Sequence, residues 1–276
     1  MKIIDGKAHA AALRAELKEK IEKMERKPAL AVVIVGEDPA SQIYVRNKIK
    51  ACGELGIRSL SYELPVNSTQ EEVECLLDKL AADVDIDGIL LQLPLPKHLD
   101  ADAATAHIPF EKDVDGFSTE NLGLLLQHKE KVVACTPLGI MKMLEREGIE
   151  LAGKNAVVIG RSETVGKPMA MLLLNANATV TICHSKTRNL AEVCKNADIL
   201  VAAVGKAKFV TADMIKEGAV VIDVGMNRDE NGKLCGDVDF ENVKDKASYI
   251  TPVPGGVGPM TITMLMYNTY ITACKE

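Results

Sequence analysis

The sequence predicts an α/β protein of two domains, each built on a parallel sheet with helices against its faces. Three observations point there. Apolar runs of strand length alternate with longer amphipathic stretches, the rhythm breaks once near mid-chain, and it then restarts. The length supports the count, since 276 residues at roughly 150 per domain favour two domains over one.

Each element follows from its own residues. Ala29 to Val35 is an unbroken apolar run ending at Gly36, the pattern of a buried strand. Pro39 to Leu55 is a helix with Ile43, Ile49 and Leu55 among its apolar positions and Gly56 as its stop. A strand at Arg58 to Leu64, a helix from Thr69 to Ala82 with Ser68 as its cap, and a strand at Asp87 to Leu93 complete the first βαβαβ run. Pro94, Pro96 and Pro109 interrupt it, and Glu111 to Asp115 is a charged turn. Helices follow at Thr119 to Gln127 and at Pro137 to Glu147, with Thr136 placed to cap the second. The rhythm restarts with a strand at Asn155 to Ile159 and a helix at Lys167 to Asn175. A strand at Thr179 to Cys183, a helix at Asn189 to Cys194 and a strand at Ile199 to Val204 continue it. A short helix at Asp213 to Lys216, a strand at Ala219 to Val224 and a last helix from about Pro259 to Ala273 close the chain. The join falls between Thr136 and Gly153.

Composition narrows the function. Hydrophobic residues are 47% and charged residues 26%, ordinary for a globular protein. The net charge is -6, so general attraction to nucleic acid or an anionic membrane is not expected, and 3% aromatics leaves few stacking platforms. Seven cysteines lie far apart with no CxxC, which points to reduced thiols in a cytoplasmic protein and to no zinc site. The N-terminus carries charges every few residues and lacks the apolar core of a signal peptide.

Val157 to Pro168, VVIGRSETVGKP, is a strand, a tight turn and a helix start, which aims backbone N–H groups at an anion. It is not a P-loop, because five residues separate Gly160 and Gly166 and Pro168 stands where Ser or Thr would hold magnesium. As a GxGxxG fingerprint it is degenerate, with Ser162 and Val165 in the second and third glycine positions. An ordinary strand-to-helix turn fits it too. The next strand ends in His184, Ser185, Lys186 and Arg188, with no acid to bind ribose hydroxyls. Donors and positive charge suit a 2′-phosphate and hence NADP, though a solvated basic loop would look the same.

Other candidates lie in the first half. Tyr44 and Lys48 are four apart on one helix face, an arrangement that is by itself far more often surface decoration than a site. Gln92 interrupts an apolar strand just before Pro94, either as a functional amide at a strand's C-terminal end or as an edge residue turned to water. Asp113 and Asp115 in KDVDGF fit a turn before Gly116 as well as a binding site.

Together the segments are more specific. SxxYVxxKxKAC, GILLQLPLP, KDVDGF, CTPLGI, VVIGRSETVGKP, CHSKT, VIDVG and TPVPGGVGPMT occur in this order over almost the whole chain. The sequence closely resembles the bifunctional methylenetetrahydrofolate dehydrogenase/methenyltetrahydrofolate cyclohydrolase family, the FolD-type enzymes. The resemblance implies a folate-binding catalytic domain of residues 1–137 and 260–276. It also implies a Rossmann-like, NADP-binding domain of residues 138–259, with a cleft between the two and a homodimer as the assembly. It implies oxidation of 5,10-methylenetetrahydrofolate and hydrolysis of the methenyl product to 10-formyltetrahydrofolate, with tetrahydrofolate derivatives as the small-molecule partners. Lys48 would be the central catalytic group, Tyr44 would stack near or hydrogen-bond the folate, and Gln92 would hold Lys48 in its low-pKa state. Asp115 would bind the pterin edge, flanked by Leu91 and Leu93. Pro252, Pro254, Gly255 and Gly256 would lie in the segment that closes over the pterin and nicotinamide. Gly160, Arg161, Ser162, Ser185, Thr136, Met226 and Thr261 would contact the cofactor, and no metal is required. Glu163 and Thr164 stand where the family often has other residues, a departure that bears on cofactor preference.

Three other readings compete. A monofunctional NADP- or NAD-dependent dehydrogenase is opposed by the joint presence of Lys48, Tyr44, Gln92 and Asp115. A non-catalytic nucleotide-binding regulator would be expected to lack Lys48 or Asp115. A hydroxy-acid or amino-acid dehydrogenase would want a catalytic His or Lys with a carboxylate-binding Arg, and no such set stands out.

Overall fold

The computed structural model describes residues 1–274, and the chain divides into two compact units. One comprises Ala12–Cys135 and the residues from Ile262 onward; the other comprises Met1–Ala11 and Thr136–Thr261. The sequence places residues 1–137 together, but the first eleven cluster with the second unit. The cause is β1 (Lys2–Ile3), which pairs in parallel with Tyr249–Ile250 at the edge of that unit's sheet. Helix α1 (Gly6–Glu22) follows. The charged N-terminal stretch hides this helix, whose buried face is set by Ala10, Leu17 and Ile21.

In the first unit, β2 (Ala29–Val35) is buried at every position, as its sequence requires. Helix α2 (Pro39–Leu55) starts with Asp38 accepting from the Ser41 amide and stops at Gly56 in the left-handed region. Its buried face is Val45, Ala51, Cys52 and Leu55, whereas Ile43, expected inside, is exposed. After β3 (Arg58–Leu64), α3 (Gln70–Ala82) is capped by Thr69 and not by Ser68. The reciprocal bonds with Glu72 decide between the two neighbours. Strand β4 (Gly88–Leu91) completes a three-stranded parallel sheet in the order β3-β2-β4. Buried Asp87 receives the Arg26 guanidinium and the Ala29 amide, tying the start of β4 to the start of β2. Two short helices, α4 (Ala101–Thr105) and α5 (Thr119–Leu126), follow.

The second unit takes up the chain with α6 (Cys135–Arg146), which contains Thr136 within its first turn instead of being capped by it. Then come β5 (Asn155–Ile159), α7 (Gly166–Asn175), β6 (Thr179–Cys183), α8 (Leu190–Cys194) and β7 (Ile199–Ala202). The expected short helix is a single 3-10 turn, Ala212–Met214, before β8 (Val220–Asp223). A small antiparallel ribbon, β9 (Asn227–Arg228) with β10 (Leu234–Cys235), and the short helix α9 (Phe240–Val243) precede β11 (Tyr249–Ile250). The last helix, α10 (Val257–Ala273), starts two residues before Pro259. The sheet runs β1-β11-β8-β7-β5-β6, all parallel. Strands β5 and β6 continue the chain on one side of the sheet while β7 lies on the other side of β5, so the strand order reverses there. In open α/β sheets, ligands bind beyond the C-terminal strand ends at that switch.

Candidate functional site

The first unit gathers three of the expected catalytic residues. Lys48 sits half-buried on α2, and its Nζ donates to Gln92 Oε1 at 3.0 Å. Gln92 follows the last residue of β4, an edge strand, and its Nε2 donates to the Leu93 carbonyl at 2.6 Å. Both halves of the amide therefore have partners, and the side chain is partly buried. Leu91 is buried and Leu93 exposed, so the two neighbours of Gln92 face different surroundings. Tyr44, one turn before Lys48, is 43% exposed, leaving its ring on the unit's surface.

The KDVDGF turn sorts its two acids into separate roles. An isolated parallel bridge joins Asp113 to Ile89, which holds the turn beside β4. Asp113 accepts from the Gly116 and Ser118 amides and from Asn121 Nδ2, and so organises the turn. Asp115 is left to face Lys48. Burial pushes its carboxyl up to about 6, a rise that the Lys48 charge opposes and the Asp113 charge adds to.

Two residues in this arrangement were not expected. Asn268 on α10 is fully buried, and its Nδ2 donates to the Val114 and Val133 carbonyls, both at 2.9 Å. Cys135 donates its thiol to the Val114 carbonyl, and burial raises that thiol well above its ordinary value. Both brace the residue immediately before Asp115. Their partners are backbone oxygens, which leave no mark in a sequence.

The second unit holds the residues expected at a dinucleotide. The β5–α7 turn depends on a close approach: a Cβ on Gly160, whose φ is +130°, would strike the Ala203 carbonyl, and one on Gly166 would strike Gly160 itself. Gly166 therefore fills the close-packing role that GxGxxG spacing would give to Val165. Ser162 Oγ accepts from the Val165 and Gly166 amides at 3.2 and 3.3 Å, closing the first turn of α7. Arg161 is exposed. The Gly160 amide donates to the Cys183 carbonyl, so the β5 and β6 ends meet. After β6, the His184 amide donates to Thr187 Oγ1 and the Lys186 amide to His184 Nδ1. Ser185, Lys186 and Arg188 are exposed around that turn.

Three more expected contacts lie in this unit. Thr136 and Thr261 hydroxyls are 2.9 Å apart. Met226 is 57% exposed three residues beyond β8. The Pro252–Gly256 segment packs on the first turn of α1, where Lys7 N donates to the Gly255 carbonyl. Within it Pro254 is exposed, Pro252 and Gly255 are partly buried, and Gly256 is buried. Among the described residues, no group of three or more His, Cys, Asp or Glu could hold a metal ion.

Comparison with known proteins agrees with both halves. Residues 4–115 match the model for the tetrahydrofolate dehydrogenase/cyclohydrolase catalytic domain, and residues 134–276 match that for its NAD(P)-binding domain. The chain is 57% identical over 276 residues to the bifunctional protein FolD of Campylobacter concisus, covering 99% of this chain and 98% of the relative. The crystal structure of the bifunctional enzyme FolD from Campylobacter jejuni superposes with a TM-score of 0.97 at 51% identity, covering 99% and 98% of the two chains. The Trypanosoma brucei FolD, solved with NADP cofactor and inhibitor, superposes at 0.91 with 41% identity, covering 98% and 96%.

Proposed function

Because the chain belongs to the tetrahydrofolate dehydrogenase/cyclohydrolase family, we propose that it oxidises 5,10-methylenetetrahydrofolate with NADP and hydrolyses the methenyl product to 10-formyltetrahydrofolate. The observation that carries this reading is the Lys48–Gln92 hydrogen bond beside a carboxylate whose ionisation Lys48 favours. The reading is bifunctional, in keeping with the two matched domains and the bifunctional relatives.

The residues present fit the cofactor. Glycine at 160 and 166 lets the β5–α7 turn pack tightly on itself and on the end of β7, at the strand-order switch where a dinucleotide is expected. Gly160, Arg161, Ser162 and Ser185 would hold NADP, with Thr136, Met226 and Thr261 as further contacts. NADP supplies the hydride acceptor.

The chain's own groups supply the rest. Asp115 accepts hydrogen bonds from the N–H donors of the pterin edge, which fixes the ring's register; Tyr44, Leu91 and Leu93 border the substrate. We assign Pro252, Pro254, Gly255 and Gly256 to folate contacts as well, as the family resemblance implies. In the hydrolysis, water loses a proton as its oxygen bonds to the methenyl carbon, and a folate nitrogen gains one as its bond to that carbon breaks. Lys48 relays both protons, giving one up and taking one in turn, and Gln92 Oε1 accepts from its Nζ and so holds the amine in place.

We also propose that the protein acts in the cytoplasm as a homodimer. No helix among the described residues is long and apolar enough to cross a membrane. Strand β6 is an edge with Ile182 37% exposed, the kind of edge that another chain covers. Sedimentation at several concentrations tests the dimer. An absorbance assay tests the activity: methylenetetrahydrofolate with NADP should yield methenyl absorbance that then decays. No methenyl formation with either NADP or NAD would overturn the reading.

A further inference from the structure

We propose that Asp237, seated on Asp223, is a positioning residue for the dehydrogenase reaction, which rests on the cofactor site assigned above. Asp237 is fully buried. Its Oδ2 accepts from the Val204 and Gly205 amides at 2.6 and 3.0 Å, and its Oδ1 accepts from the Lys206 amide at 2.8 Å and Asn227 Nδ2 at 2.9 Å. Three consecutive amides thus wrap one carboxylate. Beneath it, Asp223 accepts from the amides of Gly225, Asp237 and Val238, and its own amide donates to Thr251 Oγ1. A Cβ on Gly225 would strike the Asp237 carboxylate, so the chain is shaped around this group.

The segments tied together are those that leave the C-terminal ends of β7 and β8. The β7 segment also borders the β5 turn, since the Ala203 carbonyl occupies the place of a Gly160 side chain. That is the strand-order switch, where a dinucleotide is expected to lie. Burying two carboxylates with no cationic side chain among these partners is costly, and packing alone would be met better by apolar residues. What the pair achieves is specific. With its amides committed to Asp237, the 204–206 segment can offer a cofactor only carbonyl oxygens and side chains. Acceptors suit the hydroxyl and carboxamide donors of a nicotinamide riboside. Asp237 thereby sets the wall against which the nicotinamide is aligned, and Thr251 extends the same bond network to the start of the Pro252–Gly256 segment.

Asp237→Asn keeps the shape but turns an N–H₂ toward amides that need an acceptor. The expected result is a dehydrogenase kcat lower by about ten- to a hundredfold, the scale of a misplacement near 1 Å, with a raised KM for NADP. Hydrolysis of preformed methenyltetrahydrofolate should stay within twofold, roughly the scatter of such assays, because that step uses no cofactor. Asn227→Ala, which removes only the side-chain donor, should shift the dehydrogenase in the same direction by a few-fold and leave the melting temperature nearly unchanged. A control, Val243→Ala, thins the same core from α9 but removes no hydrogen bond to Asp237 or Asp223. If that control, with a comparable loss of melting temperature, raised the NADP KM and lowered kcat as much, Asp237 would be merely structural and the proposal overturned. Unchanged dehydrogenase kinetics in Asp237→Asn would overturn it too. A wild-type protein that fails to oxidise methylenetetrahydrofolate would instead defeat the functional reading itself.

Discussion

Asp115 carries opposite demands at one position. Its carboxyl titrates at about 6 because burial disfavours the charge, yet binding the pterin edge requires the ionised form. The sign of the pH dependence follows. An acid whose folded-state value lies above its unfolded value of about 4 binds more protons when folded, so stability falls as pH rises from about 4 to about 6. Folate binding gains over the same interval. At pH 5, about a tenth of Asp115 is ionised, and the folate KM should be about tenfold higher than its plateau. Asp115→Asn should weaken folate binding for both activities, abolish that pH dependence, leave NADP binding nearly unchanged, and melt higher than wild type at pH 7 but not at pH 4. A folate KM in Asp115→Asn equal to wild type would return Asp115 to the role of a turn residue. Lys48→Met tests the proton relay: hydrolysis should fall at least about a hundredfold, and oxidation by less, because hydride transfer needs alignment more than a base. Equal losses in the two assays would show that Lys48 does not carry the hydrolysis specifically.

At the level of elements, what could be foreseen tracks how local the cause is. Strands β2, β3, β5 and β6 and helix α2 have the bounds expected from their residues, because each is set by its own apolar run and stop signals. Helix α1 escaped because Ala10, Leu17 and Ile21 stand among charges, and two-residue strands such as β1 and β11 are too short to show a period. Strand β7 was expected to reach Val204 but ends at Ala202, since the Val204 amide goes to Asp237 instead of a neighbouring strand. At the candidate site, Lys48, Gln92 and Asp115 could be picked out by spacing and motif, whereas Asn268, Cys135 and Asp237 could not, because their bonds are chiefly to backbone groups distant in sequence. The α3 cap shows a local rule deciding between neighbours. Thr69 and Glu72 exchange bonds that Ser68 cannot make, so Thr69→Ala should cost about 1 kcal/mol in a denaturant titration. Ser68→Ala should leave that capping contribution intact.

For the whole molecule, the cofactor question sets a local charge against the global one. The chain carries a net charge of -6, which disfavours NADP more than NAD at long range, since NADP bears the extra phosphate. A preference for NADP must therefore come from short-range groups. Arg161 leaves the β5 turn and Ser185, Lys186 and Arg188 leave the adjoining β6 end, all exposed. The Gly160–Cys183 backbone bond joins these two strand ends, and no acid stands at the end of β6 to accept from a free ribose hydroxyl. A charge-assisted hydrogen bond contributes about 1.5–3 kcal/mol, so losing one should cost about ten- to a hundredfold in affinity. The expected wild-type behaviour is a higher kcat/KM with NADP than with NAD. Arg161→Ala should narrow the gap by raising the NADP KM more than the NAD KM. Salt separates this from a steric effect. As the Debye length shrinks from about 10 Å to about 3 Å, exposed charges are screened, and the NADP KM should rise faster than the NAD KM. In Arg161→Ala that difference should be smaller. Equal weakening of both cofactors by the substitution would leave Arg161 as a pyrophosphate or structural residue, with the 2′-phosphate recognised by other groups.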